Sequence, residues 1–247
     1  MGFMWRYNKK LAIEHLEKHP EHLKFACKSL KDDRDVVLSA VKKYGFTLIY
    51  ASSRLRDDKE LVLVAVKENP WVLACVSERL MDDKDVVLEA VKKNGYVLQF
   101  ASGRLRDDKS VVLEAVKGDY SIDGLEYLIE HEKYDKKYMD TIGLDIMLKS
   151  GGPLYYAAER FRDDKEVVLE AIKGIYGFWP ERTLELVSKR LRADEDVVYA
   201  ALKEHPQLAN ETIYNSEKDK EEYLLSRKIS NKLYEKLHKG KNQFELY

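Results

Sequence analysis

The apolar residues of this chain recur to a fixed beat. Leu61, Val62, Ala65 and Val66 form one set, and Val86, Val87, Ala90 and Val91 the next. The spacing i, i+1, i+4, i+5 makes a broad stripe along an α-helix wedged between neighbours; a strand would alternate every second residue. An Asp precedes each stripe, and its carboxylate suits the orphan N–H groups and positive end of a helix. Lys92 and Lys93 complement the C-terminal dipole, and Gly95 is expected as a left-handed C-cap. Pro20, Pro70 and Pro206 stop the same helix in other copies. A second helix is predicted through Val97–Leu105 and its equivalents, with small residues at its centre: Ala26-Cys27, Ala51-Ser52, Val76-Ser77, Ala101-Ser102 and Ala157-Ala158.

The beat is a repeat. L-K-D-D-R-D-V-V-L-S-A-V at Leu30 returns as L-R-D-D-K-E-L-V-L-V-A-V at Leu55, L-M-D-D-K-D-V-V-L-E-A-V at Leu80 and L-R-D-D-K-S-V-V-L-E-A-V at Leu105. It returns again as F-R-D-D-K-E-V-V-L-E-A-I at Phe161 and, more worn, at Leu191. The markers Asp33, Asp58, Asp83 and Asp108 follow each other at intervals of 25 residues; Asn8 precedes them, and Asp135, Asp164, Asp194 and Asp219 follow at intervals of 27, 29, 30 and 25. A fixed period of this length is the signature of stacked supersecondary units with atypical ends. The fold class expected is all-α: a solenoid of short helical hairpins over 1–247, with about nine units. Longer units are expected at 118–152 and 174–182, and a degenerate C-terminal cap at 210–247.

Composition adapts this picture without changing it. With 45% hydrophobic and 35% charged residues, the chain suits a thin continuous core under a large wetted surface. Lys+Arg 43 against Asp+Glu 44 gives a net charge of −1, so no general affinity for nucleic acid or membrane is expected. Cys27 and Cys75 lie two repeats apart, whereas stacked helices are about 8–10 Å apart and a disulfide needs Cα atoms within about 7 Å. Both are expected as small apolar residues of a reducing compartment. The N-terminus lacks an apolar signal segment and no window approaches a membrane span, so a cytoplasmic protein is expected.

The core L-R-D-D-K-E-V-V-L-E-A-V-K-x-x-G, with L-x-x-A-S-x-R-L, resembles a bacterial domain-of-unknown-function repeat family, number four-one-one-six. The likeness runs over Glu21–Lys117 and again over Pro153–Glu204. That family occurs in bacterial proteins, secreted effectors among them, and in phage-related ones. The resemblance implies an interaction module of microbes or phages. It implies no activity, cofactor or catalytic residue.

Candidate chemistry is sparse. Arg54, Arg79, Arg104, Arg160 and Arg190 form one column ahead of the Asp pairs, and Arg56, Arg106, Arg162 and Arg192 another. Two readings stand: guanidiniums bridging to the aspartates to fix the turns, or a strip that reads acidic side chains or phosphates. Phe25, Tyr50, Phe100, Tyr127 and Tyr156 recur at one register and are expected to pack between repeats. Tyr44, Tyr96, Tyr120, Tyr176, Phe178 and Trp179 lie in or beside loops, where aromatics serve interfaces. His15, His19 and His22 imitate a metal face, but His19-Pro20 is expected to end the helix between the second and third, so no metal is assigned. No nucleophile elbow, Walker loop, dinucleotide fingerprint or Cys/His ligand spacing occurs, and no catalytic or cofactor-binding residue is expected.

The function expected is a non-enzymatic scaffold that binds a protein partner, acting as a phage or bacterial antagonist of a host complex. The partner-binding residues expected are Tyr176, Phe178, Trp179, Arg104, Arg106, Arg160 and Arg162. The alternative is an RNA- or DNA-binding repeat protein using the Arg/Lys columns.

Overall fold

The computed structural model describes residues 4–118, 152–174 and 180–205. The chain divides into two compact parts, Met1–Leu144 and Asp145–Tyr247. No strand occurs among the described residues. The markers Asp135 and Asp219, nearly all of the stretch 118–152 and the cap at 210–247 lie outside them, as do Tyr120, Tyr127, Tyr176, Phe178 and Trp179.

The N-terminal part opens with a short 3-10 helix, Met4–Tyr7, and five main helices follow: α1 (Lys9–Leu16), α2 (Arg34–Val41), α3 (Lys59–Glu68), α4 (Lys84–Lys93) and α5 (Lys109–Lys117). Each starts where the sequence places it. Asn8, Asp33, Asp58, Asp83 and Asp108 are extended N-cap residues whose side chains accept backbone N–H groups two or three positions on. The apolar stripes are fully buried: Leu61, Val62, Ala65 and Val66 in α3, and Val86, Val87, Ala90 and Val91 in α4. These stripes face neighbouring repeats, α3 packing on α4 and α4 on α5. One layer of Val, Leu and Ala thus passes continuously from repeat to repeat.

In the N-terminal part the second limb of each described hairpin differs from the single helix predicted. It is a six-residue 3-10 helix followed by one separate turn. Gly95–Phe100 is the 3-10 segment, Ala101 and Ser102 are extended, and Gly103–Arg106 is the turn. Pro20–Phe25, Gly45–Tyr50 and Pro70–Cys75 repeat the first piece. The break has a cause in hydrogen bonding. The Ser102 N–H donates sideways to the Met81 carbonyl of the preceding repeat at 3.0 Å, while its Oγ accepts from the Leu105 N–H at 3.2 Å. A continuous helix would claim that N–H for itself.

Gly95 is not a left-handed cap. Among the described residues only Gly152 has positive φ, at 90°. α4 stops because Asn94 turns extended, and the Asn94 side chain then accepts from the Tyr96 N–H at 3.0 Å to start the 3-10 helix. At Gly45, which holds the same register as Gly95, the requirement is space. A Cβ there would overlap the Ala65 carbonyl oxygen of the next main helix.

The C-terminal part carries the same grammar. After the short 3-10 helices Pro153–Tyr155 and Glu159–Asp163 come α6 (Lys165–Lys173), α7 (Pro180–Leu186), the turn Lys189–Arg192 and α8 (Glu195–Glu204). Asp164 and Asp194 cap α6 and α8, which pack together over Val167, Val168, Ala171 and Ile172.

Candidate interaction surface

The Asp-Asp-Lys-Glu motif divides its labour between repeats. The second Asp caps its own helix. The following Lys or Arg reaches forward to the next cap: Lys9 to Asp33 at 3.0 Å, Arg34 to Asp58 at 2.9 Å, Lys59 to Asp83 at 2.8 Å and Lys84 to Asp108 at 2.6 Å. Lys165 repeats this with Asp194 at 2.8 Å. The acidic residue two places after the cap takes the same cation, as in Lys59 to Asp85 at 2.8 Å. Burial pushes the Asp83 carboxyl up, but the Lys59 ammonium and the helix N–H groups outweigh it and hold it below the ordinary value.

The first Asp receives the next repeat's Ser and Arg. Arg104 donates Nε to Asp82 Oδ1 at 3.0 Å and Nη2 to the Asp82 carbonyl at 2.6 Å, and the Ser102 hydroxyl bonds the same carboxylate. Arg54, Ser52 and Asp32 repeat this, as do Arg79, Ser77 and Asp57, and in the C-terminal part Arg190, Ser188 and Asp163. The Ser hydroxyl first, then the guanidinium, holds each of these carboxyls below its ordinary value. The first arginine column, Arg104 included, is therefore stapled into the stack at these four positions. The serines were the signal missed in the sequence: each stands two residues before its Arg.

The second column sits elsewhere. Arg56 donates Nη1 to the Cys75 carbonyl at 3.2 Å, 19 residues on, and the Arg6 guanidinium lies 5.2 Å from the Phe25 ring centre at the same offset. In the N-terminal part the column Arg6, Lys31, Arg56, Met81, Arg106 thus runs beside the column Phe25, Tyr50, Cys75, Phe100. The Nε atoms of Arg56 and Arg106 are buried without a hydrogen-bond partner among the described residues. Tyr50 and Phe100 are half-buried, the latter with its ring edge-on to Trp71 at 6.2 Å, and Phe25 is 46% exposed. These rings are only partly used for packing between repeats. In the C-terminal part, Arg162 donates to the Tyr155 carbonyl at 3.5 Å with its Nε also buried, and Arg160 lies over the Phe161 ring at 4.5 Å.

A third cluster lies where α1 meets the 3-10 helix Pro20–Phe25. Pro20 does not separate the histidines as expected but turns the chain so that they converge. The His15 and His22 rings stack with centroids 5.1 Å apart, and His15 Nε2 is 2.8 Å from His22 Nδ1. His19 stacks on His22, also at 5.1 Å, and Trp5 covers His15 at 4.3 Å. Burial first, then the neighbouring His22 and His19, pushes His15 below the ordinary imidazole value. Glu21 Oε1 stands 3.5 Å from His22 Nε2 and 4.0 Å from His19 Nδ1. Both cysteines are free; burial pushes the Cys75 thiol up to about 12, while a hydrogen bond with Ser29 lowers Cys27. Among the described residues no helix is long and apolar enough to cross a membrane.

No curated protein and no solved structure matches this chain at a significant level. The domain of unknown function DUF4116 matches three times, over residues 8–56, 33–81 and 83–131. Each match takes in two adjacent capped helices, and the first two overlap by one repeat. The staples Asp32 with Ser52 and Arg54, and Asp57 with Ser77 and Arg79, fall inside these matches. By these repeats, across residues 8–131, the chain belongs to the DUF4116 family.

Proposed function

We propose that the chain is a non-enzymatic repeat scaffold that grips a protein partner along the face where the second arginine column and the aromatic column run side by side. The observation that supports this is the unequal fate of the two columns. Four members of the first, Arg54, Arg79, Arg104 and Arg190, are spent on Asp residues of the preceding repeat. The second leaves Arg56 and Arg106 with buried Nε atoms and no carboxylate staple among the described residues, in a column alongside that of Tyr50 and Phe100. Arginine and aromatic side chains are the residues enriched at protein–protein anchors. A partner segment carrying carboxylates among apolar residues fits this face. A phage or bacterial antagonist that occludes its target would work this way, with Tyr176, Phe178 and Trp179 of the aromatic insert as further anchors.

The nucleic-acid reading fares less well. Arg56 and Arg106 are two helix layers apart, about 16–20 Å, with Met81 between them. Duplex DNA presents a charge every ~1.7 Å of axis. With Met81 interrupting it, the column of Arg6, Lys31, Arg56 and Arg106 makes a poor electrostatic track.

The test is capture by the immobilised full chain from the native host, followed by mass spectrometry. A partner retained by Arg79→Ala and Arg104→Ala but lost with Arg56→Ala/Arg106→Ala and with Tyr50→Ala/Phe100→Ala supports the proposal. Binding of generic RNA that falls steeply with salt, through these same residues, would replace it with the nucleic-acid reading.

A further inference from the structure

The corner between α1 and the 3-10 helix Pro20–Phe25 concentrates metal-ligating groups. Its local structure explains the convergence. His19 is the N-cap of the 3-10 helix Pro20–Phe25, and three residues per turn bring positions 19 and 22 to the same side, with Glu21 beside them. One donor atom from each of His19, Glu21 and His22 lies within 4.8 Å of the others. Tetrahedral zinc with bonds of about 2.0–2.2 Å holds its donors roughly 3.3 Å apart. The observed 3.5 Å from Glu21 Oε1 to His22 Nε2 and 4.0 Å to His19 Nδ1 need only small side-chain rotations to reach that.

We infer that His19, Glu21 and His22 bind one divalent late transition metal ion, zinc(II) by preference, with His15 as the positioning residue behind His22. Two imidazoles and a carboxylate suit zinc and its neighbours; calcium and magnesium seek more oxygen donors. Three protein donors leave a fourth position for water. When His22 presents Nε2 to the ion, its Nδ1–H donates to His15 Nε2 at 2.8 Å. That bond fixes the tautomer and ring angle, as outer-shell partners of ligating histidines do. His15 offers Nε2 as the acceptor, and Trp5 stacked at 4.3 Å keeps its ring from turning away. The bound ion would lock the first turn of the 3-10 helix Pro20–Phe25, tied to α1 through the His22–His15 bond, and it would stabilise the folded chain by binding that state alone.

The test uses the full chain without a histidine tag, titrated with zinc(II) against a chromophoric chelator and with cobalt(II) followed by its visible absorption. One equivalent is expected to bind with micromolar or tighter affinity, and zinc to raise the melting temperature. His19→Ala, at a side chain 52% exposed, keeps the fold by circular dichroism and weakens binding by at least about tenfold, as does Glu21→Gln. His15→Phe preserves the ring stack but loses the acceptor, and lowers zinc affinity about 10–100-fold; His15→Gln, which retains an acceptor, restores part of it. Absence of stoichiometric binding, or binding unchanged by His19→Ala and Glu21→Gln, overturns the site. Zinc affinity unmoved by His15→Phe overturns the role given to His15.

Discussion

Arg79 grips Asp57 twice, its Nε 3.0 Å from the carboxylate and its Nη2 2.7 Å from the main-chain carbonyl of the same residue. A guanidinium fork that holds both the side chain and the backbone of one residue fixes an angle as well as a distance. The same pair of bonds recurs at Arg54, Arg104 and Arg190.

Arg79→Ala should lower the melting temperature while leaving helix content and partner capture unchanged. Arg79→Lys should not restore it fully, because an ammonium lacks the planar fork. Thermal melts followed by circular dichroism check both. A loss of capture at an unchanged melting temperature would place Arg79 at the interface instead.

Asp83→Ala removes the cap of α4 and one of the two carboxylates that hold Lys59, and should cost about 0.5–2 kcal/mol in urea unfolding. Asp83→Asn keeps a capping oxygen and should cost less. Equal losses for the two would mean that the Lys59 pair, rather than the cap, carries the effect.

Gly45→Ala and Gly103→Ala separate space from backbone freedom. A methyl group at Gly45 meets the Ala65 backbone and should destabilise by about 1–3 kcal/mol. At Gly103 nothing lies within 4 Å of the added carbon, so the substitution should be neutral or stabilise by about 0.4–1 kcal/mol. Urea midpoints at matched slopes decide.

Acid should loosen the stack through its aspartates. Asp32, Asp57, Asp82 and Asp163 are held below the ordinary 3.8, first by a Ser hydroxyl and then by Arg. Asp83 and Asp194 are pushed up by burial and pulled further down by Lys and the helix amides. A carboxyl depressed in the folded state contributes stability that is complete above 3.8 and lost as pH falls below it. Urea midpoints should therefore be flat near neutrality and fall steeply below about pH 4. A midpoint that is flat into strong acid would show the staples to be inert.

The main helices were legible because each carries two independent signals, an Asp cap and a stripe such as Val86, Val87, Ala90 and Val91. The 3-10 segments were not. Over six residues such as Gly95–Phe100, a period of 3.0 and one of 3.6 place apolar side chains almost identically. The sideways bond from Ser102 to Met81 is a property of the neighbour and has no local trace. The pairing of the first arginine column with the first Asp was within reach, since Ser and Arg follow that Asp by 20 and 22 residues in three successive repeats. The histidine corner was discounted because the break at Pro20 was expected to part His22 from the other two, whereas the 3-10 helix that Pro20 starts folds His22 back onto them.

From Asp163 the partner Ser188 is 25 residues away rather than 20, and Arg190 27 rather than 22, yet both contacts are kept. The staple recognises a mating surface and is blind to the length of chain between its halves. Segments inserted between Asp163 and Ser188 are therefore released from the geometry that governs the rest of the array. Such a position can lengthen, shorten or exchange its sequence over generations while the rungs on either side stay in register. It is where a repeat protein of this design can acquire a new specificity without rebuilding its frame.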